Sequence, residues 1–95
     1  HSYSGSAEMI KSFAALGAYF SFGVSVIHPR RARLREALRS TPPDRLLIET
    51  DTPAGLNAPA NALERSAWAL TSVLGEPVET FTQRVAANFQ RLFLR

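Results

Sequence analysis

Asp51, Glu49 and His1 are the residues whose types and placement could do chemistry. Asp51 closes the run Leu46-Leu47-Ile48-Glu49-Thr50-Asp51 and is followed by Thr52-Pro53. The apolar part is too short for a surface helix, and Pro53 would stop either a strand or a helix just past the acid. It reads as a strand that delivers Asp51 to its C-terminal tip. Side chains alternate along a strand, so Leu47, Glu49 and Asp51 share one face while Leu46, Ile48 and Thr50 share the other. Two carboxylates at that spacing are costly to bury unless each has a partner or a raised pKa. The cost points to a metal, a proton-transfer role or a structural ion pair; a strand-end aspartate accepting backbone hydrogen bonds is the plainer alternative. A histidine and an aspartate from different strand tips suit a divalent metal that keeps one position open for an activated water. Taken alone, His1 also reads as a terminal residue left by truncation or cloning.

Other groups carry weaker signals. Ser4-Gly5-Ser6 leads into a helix and could cradle an anion with backbone amides and hydroxyls, although serine before a helix is first of all a cap. His28, beside a proline in a loop, reads as solvated and is left out of the site. Arg31, Arg35 and Arg39 stand four apart on one helix face, with Arg30 and Arg33 nearby and Glu36 as the main acidic relief. Like charges at that spacing repel by a few tenths of a kcal/mol per pair, roughly. This face is expected to be a solvated outer surface. Trp68, Phe81, Val85 and Phe89 are expected to pack in the core or between helices before they serve as a stacking platform.

The elements that must position these residues follow from periodicity and punctuation. Ser6 as N-cap, Glu8 in the first turn, the spacing of Met9, Phe13 and Leu16, and Gly17 as stop predict a first helix. Ala18-Tyr19-Phe20-Ser21-Phe22 predicts a buried strand ending at Gly23, then a loop through Val24 to His28. Pro29 is placed at the first position of a second helix that runs to about Ser40 and turns Leu34, Ala37 and Leu38 inward. Thr41-Pro42-Pro43-Asp44 breaks that helix and leads into the Asp51 strand. After the loop Thr52 to Ala58, Pro59 begins a third helix with the stripe Leu63, Ala67, Leu70, Leu74, closed by Gly75. Glu76-Pro77 starts a fourth with Phe81, Val85, Phe89 and Leu92 or Phe93. Strands separated by single helices predict a parallel, right-handed βαβ unit with both sheet faces covered. Two such strands need neighbours, so the pattern looks like the last part of a larger α/β protein.

Composition bounds the rest. Ninety-five residues, 45% hydrophobic and 20% charged, describe one globular domain, short of the ~250 residues of a complete (β/α)8 barrel. With no cysteine, disulfides and thiolate zinc sites are excluded, and a metal must be held by nitrogen and oxygen. No apolar stretch is long enough to span a bilayer and the start lacks the parts of a signal peptide, so a cytoplasmic location is expected. The formal charge of +3 comes almost wholly from arginine, Lys11 being the only lysine. Arginine suits phosphate as well as carboxylate, but the excess is modest.

Three segments, in the right order across the whole chain, carry a family likeness. His1-Ser2-Tyr3-Ser4-Gly5, Asp44-Arg45-Leu46-Leu47-Ile48-Glu49-Thr50-Asp51-Thr52-Pro53 and Asn88-Phe89-Gln90-Arg91-Leu92-Phe93 resemble the C-terminal third of the TatD-related metal-dependent hydrolases. The resemblance implies a (β/α)8 barrel of the amidohydrolase type, acting as a metal-dependent deoxyribonuclease or phosphoesterase. It implies that His1 is a metal-binding histidine at a late strand tip, and that Asp51 is the last-strand aspartate that binds metal or activates the attacking water. Leu56-Asn57-Ala58-Pro59-Ala60-Asn61 looks like the substrate-side loop of one branch, without the acidic residue expected at Ala58. The family's paired histidines on the first strand, a bridging glutamate and a further histidine have no counterpart here. Glu49 would then face a barrel interior whose other strands are absent, and is expected to be exposed, protonated or paired in a makeshift way.

The reading is therefore a partial (β/α)8 TIM barrel of two parallel strands and four helices, residues 1–95 forming its C-terminal segment and lacking the N-terminal strands. Its expected function is that of a TatD-type metal-dependent hydrolase, inactive as this piece alone. Asp51 is the catalytic residue, His1 and Asp51 are metal ligands, and Ser4 and Gly5 contact substrate. The expected cofactor is one or more divalent metal ions. The expected substrate is DNA or another phosphoester, and open strand edges with bare helix faces favour self-association. Two other readings compete: a non-catalytic α/β fragment or interaction module that retains the packing side of the barrel, and a basic nucleic-acid-binding domain centred on Arg31 and Arg35.

Overall fold

The computed structural model describes residues 6–49 and 61–94. Four helices, α1 (Ala7–Ala15), α2 (Ala32–Ser40), α3 (Ala62–Leu74) and α4 (Val78–Leu94), accompany two strands, β1 (Phe20–Phe22) and β2 (Leu46–Ile48). Short 3-10 turns, Val24–Ile27 and Pro43–Arg45, follow β1 and precede β2. The strands pair in parallel with Phe20 opposite Leu46, Ser21 opposite Leu47 and Phe22 opposite Ile48. This mixed α/β arrangement, with α2 as the crossover, is the one read from the sequence.

Glycine ends two of the helices as expected. Gly17 has φ +87°, and the amides of Gly17 and Ala18 return to Ala14 O and Phe13 O at 2.9 and 3.1 Å, closing the last turn of α1. Gly75 has φ +71° after α3 and its amide reaches Thr71 O at 2.7 Å. Positive φ is a conformation that a Cβ penalises, so both positions suit glycine.

The core joins Phe20, Phe22 and Leu46 to Ile10 of α1, Leu34, Ala37 and Leu38 of α2, Ala67 and Leu70 of α3, and Phe81 and Val85 of α4. In register, Phe20, Phe22, Leu46 and Ile48 lie on one face of the sheet, and Ile48 packs against the same cluster. Leu47, on the opposite face with Ser21, is buried but stands outside this cluster.

Several expectations are corrected. The first helix forms where the spacing of Met9, Phe13 and Leu16 placed it, but these three stay 45%, 40% and 83% exposed, whereas Ile10 is fully buried and Ala14 packs against the core. Two stripes one residue apart satisfy the same period, and the small Ala14 lets the helix approach its neighbours on the other one. Pro29 does not open α2. The Arg31 amide bonds His28 O at 2.9 Å, so His28 to Arg31 is a tight turn with proline at its favoured second position, and the helix starts at Ala32. Val24 to Ile27 is a 3-10 turn rather than an irregular loop.

In α3, Leu63 is exposed and Leu74 half-buried, while Ala62, Ser66, Ala69 and Thr71 are buried with Ala67 and Leu70. Small residues let α3 lie against the Val24–Ile27 turn, which turns Leu63 and Trp68 outward. Trp68 is thus not a core residue. In α4, Phe81 and Val85 are buried and Phe89 half-buried as expected; of the two alternatives for the last position Leu92 is half-buried and Phe93 76% exposed, and Asn88 takes a fully buried position. The Pro59 start of the third helix lies outside the described residues. Among those described, no helix is long and apolar enough to cross a membrane.

Candidate functional site

In parallel α/β units the loops beyond the carboxyl ends of the strands carry function, because adjacent strands deliver side chains there side by side. Here that end comprises Gly23 and the Val24–Ile27 turn after β1, and Glu49 after β2. The Glu49 amide donates to Phe22 O at 2.9 Å, extending the parallel ladder one residue beyond β2. By alternation Glu49 shares the face of Leu47 and Ser21, away from the main core cluster. It is half-buried rather than exposed.

The site residues read from the sequence, His1, Ser4, Gly5 and Asp51, all lie outside the described residues, as do Leu56 to Ala60. Asn61 is exposed just before α3. Among the described residues no group of three or more His, Asp or Glu side chains could hold a metal ion. Three protein ligands are the usual complement of a catalytic zinc-type site, so the described part does not make one.

Hydrogen bonds and stacking clamp the two strands at the opposite end. Asn88, fully buried on α4, donates through Nδ2 to Pro43 O at 2.9 Å and to Leu46 O at 2.7 Å. Its Oδ1 accepts from Arg91 Nη2, which also donates to Asp44 O at 3.0 Å. The first residue of β2 and the turn before it are thereby tied to the last helix. Arg45 donates to Gly17 O at 3.1 Å and stacks over the Tyr19 ring at 4.9 Å, joining that turn to the start of β1. At the carboxyl end of the sheet, Arg35 Nη1 donates to Val26 O at 3.0 Å and His28 O at 2.7 Å, capping the carbonyl end of the turn after β1.

These positioning groups were not singled out by residue type. The available signal was a polar residue at a core position: Asn88 lies three after Val85 in an otherwise apolar stripe, where an amide is kept only if it is hydrogen-bonded. Arg35 was read with Arg31 and Arg39 as solvated, yet it is half-buried and engaged with backbone carbonyls.

An open groove of about 560 Å³ lies between α3 and α4, lined by Ile48, Leu63, Ala67, Val78, Phe81 and Phe89 among others. Among the described residues, Glu64 is the only ionisable one in its lining. That chemistry suits packing against another apolar element, not hydrolysis.

Residues 1–94 match the family model described as TatD related DNase. The chain belongs to the TatD-related DNase family. Relatives in that sense include YcfH of Escherichia coli K12, named an uncharacterized metal-dependent hydrolase, 35% identical over 98% of this chain and 38% of its own length. An uncharacterized metal-dependent hydrolase of Haemophilus influenzae is 31% identical over the same shares. YabD of Bacillus subtilis, of the same description, is 40% identical over 56% of this chain and 21% of its own. The TatD-related chain thus spans less than two-fifths of the length of the first two. The name metal-dependent hydrolase is that of these relatives.

Proposed function

We infer that this chain is the C-terminal third of a TatD-type (β/α)8 barrel whose complete form hydrolyses phosphodiesters such as DNA. The observation that carries the reading is the family match over residues 1–94 in a chain that spans 38% of relatives named metal-dependent hydrolases. The parallel strand–helix–strand order is compatible with two late strands of such a barrel. The remainder of a barrel would pair with a free edge of the two-stranded sheet and cover the groove beside Ile48.

A divalent ion in such hydrolases supplies an activated water and stabilises developing charge. The described residues do not by themselves fit such an ion, and this chain's contribution is the His1 nitrogen and the Asp51 carboxylate. Asp51, three residues after β2 in the sequence, would accept the proton of the attacking water, and the Ser4-Gly5 backbone would hold a phosphate oxygen. With two ligands, the chain alone binds metal weakly and is inactive.

The test grafts residues 1–95 in place of the matching segment of YcfH and measures metal-dependent hydrolysis of bis(p-nitrophenyl) phosphate and metal affinity by calorimetry. The isolated chain should be inactive and the graft active, with Asp51→Asn lowering kcat by roughly 100-fold or more and His1→Ala weakening metal binding. A graft whose metal affinity and activity are indifferent to both substitutions refutes the assignment.

A further inference from the structure

We propose that Arg30, Arg31 and Arg33, on the turn and first residues that open α2, form a subsite for the phosphodiester backbone of a nucleic-acid strand beside the carboxyl end of the sheet. The proposal rests on the hydrolase reading for its placement, since a strand cleaved at the tips must lead its flanking phosphates past that end.

The arginines of the described residues fall into two sets. Arg35, Arg45, Arg84 and Arg91 each donate to acceptors inside the protein: Val26 O and His28 O, Gly17 O, the Glu76 carboxylate, and Asp44 O with Asn88 Oδ1. Arg30, Arg31 and Arg33 are exposed, and among the described residues none of them forms an ion pair. They cluster within four residues, whereas Arg39 and Arg65, also exposed and outside any ion pair among these residues, stand apart.

Their placement is unfavourable for folding. α2 has no acidic residue in its first turn, so these guanidinium groups gather where the helix already carries partial positive charge. Arg39, in the last turn, has the favourable end. A polyanion removes this repulsion, and the planar fork of arginine pairs with phosphate oxygens two at a time.

The backbone that carries them is held in place. The Arg31 amide bonds His28 O at 2.9 Å, the Arg30 amide bonds His28 Nδ1 at 3.2 Å, and Arg35 fixes His28 O and Val26 O from below the turn. β1 runs directly into this segment through Gly23 and the 3-10 turn, and α2 is the parallel crossover to β2. The cluster therefore lies on the same side as Glu49 by topology. Arg35, the residue a helix-face reading groups with Arg31, is a brace for the turn and not part of the contact surface.

The experiment is fluorescence anisotropy of the chain with a labelled single-stranded oligodeoxynucleotide of about 12 nucleotides, in EDTA, from ~20 to ~300 mM salt. The variants are R30Q/R31Q/R33Q, the lysine triple R30K/R31K/R33K, and K11Q/R39Q/R65Q, which removes the same charge from other exposed positions. Each neutralised phosphate contributes about 0.7 to the salt slope for single strands, so the glutamine triple should lower the slope by about 2 and weaken binding roughly 100-fold at ~0.1 M salt. The lysine triple should keep the slope, and the distributed triple should change affinity by less than about threefold. Equal losses in the clustered and distributed triples, or no binding by the wild-type chain at ~20 mM salt, would overturn the proposal. Binding in EDTA is independent of hydrolysis. Loss of this effect refutes the subsite alone, and an inactive YcfH graft that still binds DNA refutes the hydrolase reading alone.

Discussion

Replacing Asn88 by alanine tests the clamp that ties α4 to the start of β2. The wild-type amide is fully buried and donates to Pro43 O and Leu46 O at 2.9 and 2.7 Å while accepting from Arg91. Two net hydrogen bonds are worth about 2 kcal/mol, and leaving the buried Leu46 carbonyl without its donor adds about 1 to 2 kcal/mol. The expected loss is therefore about 3 to 4 kcal/mol, a large share of the ~5 to 15 kcal/mol that holds a domain folded. Urea unfolding followed by far-ultraviolet circular dichroism should show the midpoint falling with an unchanged slope, as for a change in stability without a change in the surface exposed. Asn88→Asp keeps the shape but puts a carboxylate oxygen where the amide donated, facing two carbonyl oxygens, and should cost at least as much at neutral pH. Arg91→Ala, at an exposed position, should cost about 1 kcal/mol or less. A loss below ~0.5 kcal/mol for Asn88→Ala, the range of ordinary surface substitutions, would refute the clamp. So would an Asn88→Asp variant as stable as wild type.

Two further outcomes follow from packing and backbone geometry. Gly75→Ala should lower stability by about 1 kcal/mol in thermal unfolding, entirely through its φ of +71°, because an added Cβ meets nothing within 4 Å; an unchanged melting temperature would contradict that geometry. Phe81→Ala, at a fully buried position, should cost about 3 to 5 kcal/mol, whereas Phe93→Ala, 76% exposed and stacked on Phe89 with ring centroids 6.2 Å apart, should cost about 1 kcal/mol or less. Similar losses for the two phenylalanines in urea titrations would mean that the α4 stripe is buried otherwise than described.

What was legible in the sequence was local or was carried by contiguous motifs. Gly17 and Gly75 announced the ends of two helices because the left-handed conformation needs no Cβ, and Leu34, Ala37 and Leu38 announced the inner face of α2 because no competing stripe exists there. The aromatic run at Phe20–Phe22 and the aliphatic run at Leu46–Ile48 declared themselves as strands, and their separation by one helix made them parallel. The three segments containing His1, Asp51 and Asn88 announced the TatD-related family, which the match over residues 1–94 bears out.

Tertiary structure alone decided which of two equivalent helix stripes turned inward. The spacing of Met9, Phe13 and Leu16 indicated a helix without saying which side packs, and Ile10 and Ala14 face the core because helix packing is chosen by the shape of the neighbour. It also decided that Leu63 and Trp68 remain outside, that Pro29 makes a turn, and that Arg35 braces carbonyls instead of facing solvent. Asn88 shows the reason most clearly. A sequence states which donors exist, but the carbonyls of Pro43 and Leu46 become its acceptors only when residues more than forty positions apart are folded together.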